Sequence, residues 1–152
     1  SWLYPVTQGA TTIWEHWDGM KDDGSMWSAD MNSFNHYAYG AIGEWMYRAM
    51  AGIEADPEYP GFKHAILYPR IGGNLKYTAG KYHSIYGDVG VKWEVQGKQI
   101  TLTVQIPVNT TAEIRLDQAK AVLESDGLTF TREADYMAAE AGSGTYHIAF
   151  EQ

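Results

Sequence analysis

Two runs of alternating residues on either side of Gly97-Lys98 constrain this chain more than any other feature. Val89, Val91, Trp93 and Val95 alternate with Gly90, Lys92 and Glu94. Ile100, Leu102, Val104, Ile106 and Val108 alternate with Thr101, Thr103, Gln105 and Pro107. A period of two puts successive side chains on opposite faces of a strand. The Gly97-Lys98 dipeptide between the runs is a two-residue hairpin turn. A slip of one residue would turn the whole apolar set to water, so the register is fixed by the pattern. Val89, Val91, Trp93, Leu102, Val104 and Ile106 are therefore expected to face a core.

The same period continues on both sides of the hairpin. Ala112, Ile114 and Leu116 alternate with Glu113 and Arg115, and shorter candidate strands cover 63–68, 75–84, 121–124, 128–131 and 146–151. Ser125-Asp126-Gly127 and Gly142-Ser143-Gly144 punctuate the last of them, and the Ala/Glu-rich stretch 133–141 reads as a loop. Short strands with regular turn signals predict a mainly β fold, an antiparallel two-sheet β-sandwich of jelly-roll type.

Before residue 56 the text changes character. Phe34, Tyr37, Ala38, Ala41, Ile42, Trp45, Met46, Ala49, Met50 and Ile53 recur at spacings of three and four. That spacing predicts a helix over 33–52, capped by Ser33 or Asn32 and ended by Gly52. Glu44 and Arg48 stand four apart in the favourable order, worth ~0.3–0.5 kcal/mol as a surface pair. The apolar stripe is wide, and Trp45, Met46 and Met50 on it are expected to stay partly exposed and to favour self-association. A short helix near 2–7, interrupted by Pro5, is also expected. The stretch 54–61, with Pro57 and Pro60, cannot continue a helix. The expected division is 1–56 and 57–152.

Composition narrows the function classes. Eleven basic against 19 acidic residues give a net charge of -8, which opposes a nucleic-acid partner. No run approaches the ~18 apolar residues that cross a bilayer, so no membrane partner is expected. The first residues carry neither the basic segment nor the apolar core of a secretory signal. The absence of cysteine excludes disulfides and thiolate metal sites and leaves the compartment open, cytoplasmic or exported. Six Trp, 11 Tyr and 4 Phe are many for this length. Such rings stack on sugar faces, but they also fill cores and sheet faces.

The residues that could carry chemistry concentrate in Gly9-Ala10-Thr11-Thr12-Ile13-Trp14-Glu15-His16-Trp17-Asp18-Gly19. Two roles are open for Glu15 between Trp14 and Trp17. It is a catalytic carboxylate whose proton affinity the rings tune, or a structural acceptor of backbone or indole hydrogen bonds. His36 falls in the first turn of the expected helix, where the dipole favours the neutral ring. It either acts on a ligand or satisfies a backbone group. Asp22, Asp23 and Asp30 read as a solvated loop without calcium-loop spacing. Glu15 and His16 are adjacent and point apart, and His64, His83 and His147 are scattered, so no metal is expected. No nucleophile elbow or phosphate-binding glycine loop is present, and no cofactor is expected.

The segment Gly9 to Gly19 just quoted, followed by Ser33-Phe34-Asn35-His36-Tyr37-Ala38-Tyr39-Gly40-Ala41-Ile42-Gly43-Glu44-Trp45-Met46-Tyr47-Arg48, resembles the end of the catalytic domain of bacterial α-L-rhamnosidases, glycoside hydrolase family 78. Pro60-Gly61-Phe62-Lys63 and the strand-rich remainder look like that family's C-terminal β-sandwich domain. The resemblance implies the last loop and helix of an (α/α)6 barrel followed by the sandwich. It implies an enzyme that removes terminal L-rhamnose with inversion, using two carboxylates ~6.5–9.5 Å apart. It assigns the general base to Glu15, a rhamnose contact to His36, and the lining of the pocket to Trp14 and Trp17. The segment that supplies the general acid is absent, so the chain is expected to be a fragment, inactive alone, whose partners are the rest of the barrel and rhamnose-containing glycosides. Two alternatives stay open for the sandwich. It is an independent carbohydrate-binding module using Tyr68, Tyr77, Tyr82, Tyr86 and Trp93, or a purely structural one.

Overall fold

The computed structural model describes residues 1–152, which form two compact units, Ser1–Glu44 and Trp45–Gln152. The second is the sandwich. It holds ten strands: β1 (Ile53–Ala55), β2 (His64–Leu67), β3 (Tyr77–Ser84), β4 (Gly87–Gln96), β5 (Gln99–Ile106), β6 (Thr111–Asp117), β7 (Ala121–Glu124), β8 (Thr131–Arg132), β9 (Tyr136–Ala141) and β10 (Gly144–Glu151). One sheet runs β1-β2-β6-β9-β8 and the other β3-β4-β5-β10-β7. Every ladder is antiparallel except β2–β6. That parallel pair follows from the connection, because the hairpins β3–β4 and β4–β5 intervene before the chain returns to its first sheet.

The hairpin stands as its alternation requires. Val91 lies opposite Val104, Trp93 opposite Leu102 and Val95 opposite Ile100. The turn glycine Gly97 takes a φ of 66°, which a primed two-residue turn needs. Val89, Val91, Trp93, Leu102, Val104 and Ile106 are all buried, and Phe150, Leu67, Ile114 and Leu116 meet them in one core. The Trp93 indole is 1% exposed, and its Nε1–H donates to the Met50 carbonyl at 2.8 Å. The one polar atom of that large side chain is therefore satisfied.

Several expectations are corrected. The stretch 33–52 is not one α-helix. Residues 33–36 are not helical, and a 3₁₀ segment Tyr37–Ala41, an α-helical turn Ile42–Trp45 and a π-helical segment Met46–Ala51 follow. The periodic pattern loses at 33–36 because the backbone there bonds across to 13–15 instead of along itself. Gly52 does end the segment, in the left-handed conformation with φ 76°. The stretch 133–141 is not a loop throughout, since β9 pairs with β6 over Tyr136–Ala141. Its poor strand formers are tolerated because Ala139 and Ala141 are small enough to face the core. Within 128–131 only Thr131 pairs, as the first residue of β8. Val108 leaves the alternation and is exposed, because Pro107 to Thr110 form a turn with Asn109 at φ 63°.

In the first unit, α1 (Leu3–Thr7) runs through Pro5 without a break. Proline is accepted there because a first-turn N–H has no intrahelical partner to lose. Trp45, Met46 and Tyr47, on the helical stretch that opens the second unit, are each about half exposed.

Candidate active site

The residues around Glu15 are organised by two extended segments that face each other. The Glu15 N–H donates to the Ser33 carbonyl at 2.8 Å and the His36 N–H to the Ile13 carbonyl at 2.7 Å. The Thr12 hydroxyl adds a bond to the Phe34 carbonyl. Within this frame the Glu15 carboxylate is half-buried, and its Oε2 accepts the Ser33 N–H at 3.1 Å. Oε1 takes no hydrogen bond from the chain. One oxygen is thus held by a backbone donor while the other stays available.

His36 is not inside a helix. It is the cap residue of the 3₁₀ segment, with φ -125° and ψ 120°, and its Nδ1 accepts from the Ala38 N–H at 3.3 Å. An imidazole nitrogen that accepts carries no proton, so this bond leaves Nε2 as the donor. The ring stacks on Tyr37 with centroids 5.8 Å apart.

Trp14 and Trp17 line one cavity of about 300 Å³ together with Trp2, Val6, Ile13 and Tyr39. Trp14 is 5% exposed and packs edge-on against Phe34, whereas Trp17 is 39% exposed and stacks on Tyr39 at 5.2 Å. Glu15 and His36 are not among the residues that line this cavity. The structure brings the two tryptophans together and ties the Glu15 and His36 backbones into one frame. No bond joins the Glu15 and His36 side chains.

Other participants carried no legible signal. Trp2 and Tyr39 complete the aromatic cluster, with ring centroids 5.2 Å apart, but lie far apart in sequence. Ser33 acts through its backbone N–H, which any residue there supplies. The His16 ring is bonded through Nδ1 to Asp18 and stacks on Trp27 at 3.9 Å. The acidic stretch is an exposed loop, as expected, with bonds of its own. Asp22 accepts from the Tyr4 hydroxyl at 3.0 Å, and Asp23 accepts both the N–H and the hydroxyl of Ser25. The bonds from Ser25 hold the Asp23 carboxyl below the usual carboxylate range. No three His, Asp or Glu side chains converge on a point that could hold a metal ion.

The sandwich rings divide into two kinds. Tyr68 is buried, with the Arg70 guanidinium 3.5 Å from its ring centroid and its hydroxyl bonded to Asp117 at 3.2 Å. Burial pushes its phenol up from the ordinary value. Tyr68 and Trp93 are thus packing residues, while Tyr77 and Tyr82 are exposed.

Residues 1–50 match the family of bacterial alpha-L-rhamnosidase six-hairpin glycosidase domains, and residues 52–130 match the bacterial alpha-L-rhamnosidase C-terminal domain. An alpha-L-rhamnosidase of Streptomyces avermitilis is 41% identical over 97% of this chain, and one of Formosa agariphila is 41% identical over 86%. The chain spans 14% of the length of each. A crystal structure of the Streptomyces avermitilis alpha-L-rhamnosidase complexed with L-rhamnose superposes with a TM-score of 0.86 at 38% identity, over 98% of this chain and 14% of that one. With the C-terminal family covering more than half of its residues and the glycosidase family covering most of the rest, the chain belongs to the bacterial α-L-rhamnosidases.

Proposed function

We propose that this chain serves a longer enzyme that removes terminal α-L-rhamnose from rhamnosides with inversion at the anomeric carbon. Glu15 is the general base. Its carboxylate takes one proton from a water as the water oxygen bonds to the anomeric carbon. A general acid outside this chain gives a proton to the leaving glycosidic oxygen as that bond breaks. His36 contacts the sugar, and Trp14 and Trp17 line its pocket. The partners in this reading are rhamnose-containing glycosides and the rest of the barrel. The half-exposed face of Trp45 and Met46 packs on that barrel, or on a second copy when the chain is isolated.

The observation that supports this assignment is the state of the Glu15 carboxylate. Oε2 is anchored by the Ser33 N–H while Oε1 is left unbonded by the chain. A general base needs that combination of a fixed orientation and a free lone pair. The burial of Tyr68 and Trp93 supports a packing role for these two rings.

The test is Glu15→Gln in the full-length enzyme. General base catalysis contributes about 10²–10⁴-fold, so kcat should fall at least ~100-fold with little change in KM, while His36→Ala should mainly raise KM. The released sugar should appear first as the anomer opposite to the substrate. Near-normal turnover of Glu15→Gln would overturn the assignment. The isolated chain should have no rhamnosidase activity, because the acid partner lies outside it.

A further inference from the structure

The sandwich unit carries a cavity lined by Asp56, Tyr59, His64, Thr111, Glu113 and Glu140. It measures about 770 Å³, within the ~300–1,000 Å³ range of small-molecule sites. Its floor is the outward face of β2, β6 and β9, carrying His64, Thr111, Glu113 and Glu140. These side chains point away from the core because Ala65, Ala112, Ile114, Ala139 and Ala141, which alternate with them along their strands, are buried inside.

The floor contains an arrangement that folding alone does not favour. Glu113 and Glu140 lie directly opposite each other on neighbouring antiparallel strands. Like charges in that position destabilise a sheet. The Arg115 Nη2 donates to the Glu113 Oε2 at 2.6 Å, whereas the Glu140 carboxylate takes no hydrogen bond from the chain. Nor do three acidic or His groups gather closely enough to hold a metal ion.

The rim is set in place by local bonds. The Asp56 carboxylate accepts the Glu58 N–H at 2.9 Å, and the Asp56 carbonyl accepts the Tyr59 N–H at 3.0 Å. These bonds fix the turn between Pro57 and Pro60 that carries Tyr59. The Tyr59 ring is 51% exposed and stands 5.8 Å from the His64 ring. On the opposite side, the Lys63 ammonium donates to the Asn109 carbonyl and so steadies the left-handed residue of that turn. The His64 Nδ1 is engaged with the Thr111 hydroxyl at 2.7 Å, which leaves Nε2 free to face a ligand.

We propose that this cavity is a saccharide-binding site separate from the Glu15 segment, with Tyr59 as the stacking ring and Glu113, Glu140 and His64 as the polar contacts. A neutral polyol supplies hydroxyl donors to the Glu140 carboxylate and to the second oxygen of Glu113, and its flat C–H face suits an exposed ring. The choice of a rhamnose-bearing ligand rests on the proposed rhamnosidase reading. The existence of the site does not.

The test is a titration of the 152-residue chain with L-rhamnose and a neutral rhamno-oligosaccharide, followed amide by amide by NMR. Saturable shifts at 109–113 and 140–143 are expected. Tyr59→Ala should weaken them at least about tenfold, while Tyr59→Phe keeps them, because the ring and not the hydroxyl is used. Tyr59 is an exposed turn residue, so an unchanged spectrum elsewhere will show that the variant is folded. Three outcomes would overturn the proposal: no shifts at millimolar saccharide, shifts confined to 12–17 and 33–36, or binding unaffected by Tyr59→Ala. A failed Glu15→Gln test in the full-length enzyme would leave this titration unaffected, so the two readings fail separately.

Discussion

Replacing Gly52 with alanine tests how tightly the helical stretch 46–51 is built into the sandwich. Gly52 sits at φ 76° and ψ 30°, its N–H donates to the Tyr47 carbonyl, and its carbonyl accepts the Tyr68 N–H at 2.8 Å. A Cβ at this position would lie 2.0 Å from the Pro69 nitrogen, 2.4 Å from the Tyr68 carbonyl carbon and 2.5 Å from the Pro69 Cα. All three are backbone atoms, which cannot rotate aside as a side-chain end can. Two costs follow. The left-handed conformation costs an L-residue roughly 1–2 kcal/mol. Overpacking typically costs a further ~1–3 kcal/mol, and here the strand leading out of β2 must move. The sum is about 2–5 kcal/mol. A domain of roughly a hundred residues loses at least ~4 °C per kcal/mol, so Gly52→Ala should lower the melting temperature by about 8–20 °C. Thermal and urea unfolding followed by circular dichroism measure this. Gly73→Ala separates the two costs, because Gly73 also has a positive φ of 62° but its added Cβ meets nothing within 4 Å. It should show the smaller loss alone. A Gly52→Ala chain that melts within about 2 °C of the parent would refute the steric argument.

Further outcomes are expected from the core and the surface. Trp93→Ala should cost ~3–5 kcal/mol in urea unfolding, and Trp93→Phe should still cost measurably, because it orphans the Met50 carbonyl that the indole N–H now satisfies. Bonds from the His147 backbone N–H and then its ring hold the Asp126 carboxyl below the ordinary value. A lowered folded pKa means that its stabilisation is present above the unfolded value of about 3.9 and is lost as pH falls through the folded one. Asp126→Asn should therefore flatten the decline of the urea midpoint below about pH 4. An unchanged slope would show that other carboxylates carry it, such as Asp88, which bonds from His83 and Lys81 also hold low.

The sandwich was legible wherever side-chain burial alone decides structure. The β4–β5 hairpin is long, strictly alternating and closed by a glycine turn, and its register followed from the sequence residue by residue. β9 was not legible because Met137-Ala138-Ala139-Glu140-Ala141 has neither β-branched residues nor an apolar–polar alternation. Its conformation is imposed by pairing with β6, a contact between distant parts of the chain. The stretch 33–36 failed for a related reason. Its apolar spacing is helical, yet its backbone bonds to 13–15, and no local pattern reports a partner so remote. In the candidate site, Glu15, Trp14, Trp17 and His36 stood out through their motifs. The Ser33 amide and the aromatic partners Trp2 and Tyr39 did not, because a backbone donor has no residue signature and rings distant in sequence show no period.

The point at which the glycosidase family ends and the C-terminal family begins, between residues 50 and 52, is not a mechanical joint. The Met50 carbonyl accepts the indole N–H of Trp93, the most voluminous of the fully buried side chains. The Ala49 carbonyl accepts the Arg70 N–H at 2.9 Å, and the Gly52 carbonyl accepts that of Tyr68. A Cβ on Gly80 of β3 would come within 2.6 Å of the Ala51 Cβ, so strand and helical segment touch with no room for another methyl group. Helix-terminal carbonyls ordinarily need caps or water, and here the Arg70 N–H, in the segment after β2, and the core indole of Trp93 serve two of them. A segment whose terminal acceptors are satisfied this way cannot shift without breaking core bonds. The sandwich therefore does more than follow the last helical stretch in sequence. It fixes the end of that stretch, and a defect in its core reaches residues that the glycosidase family claims.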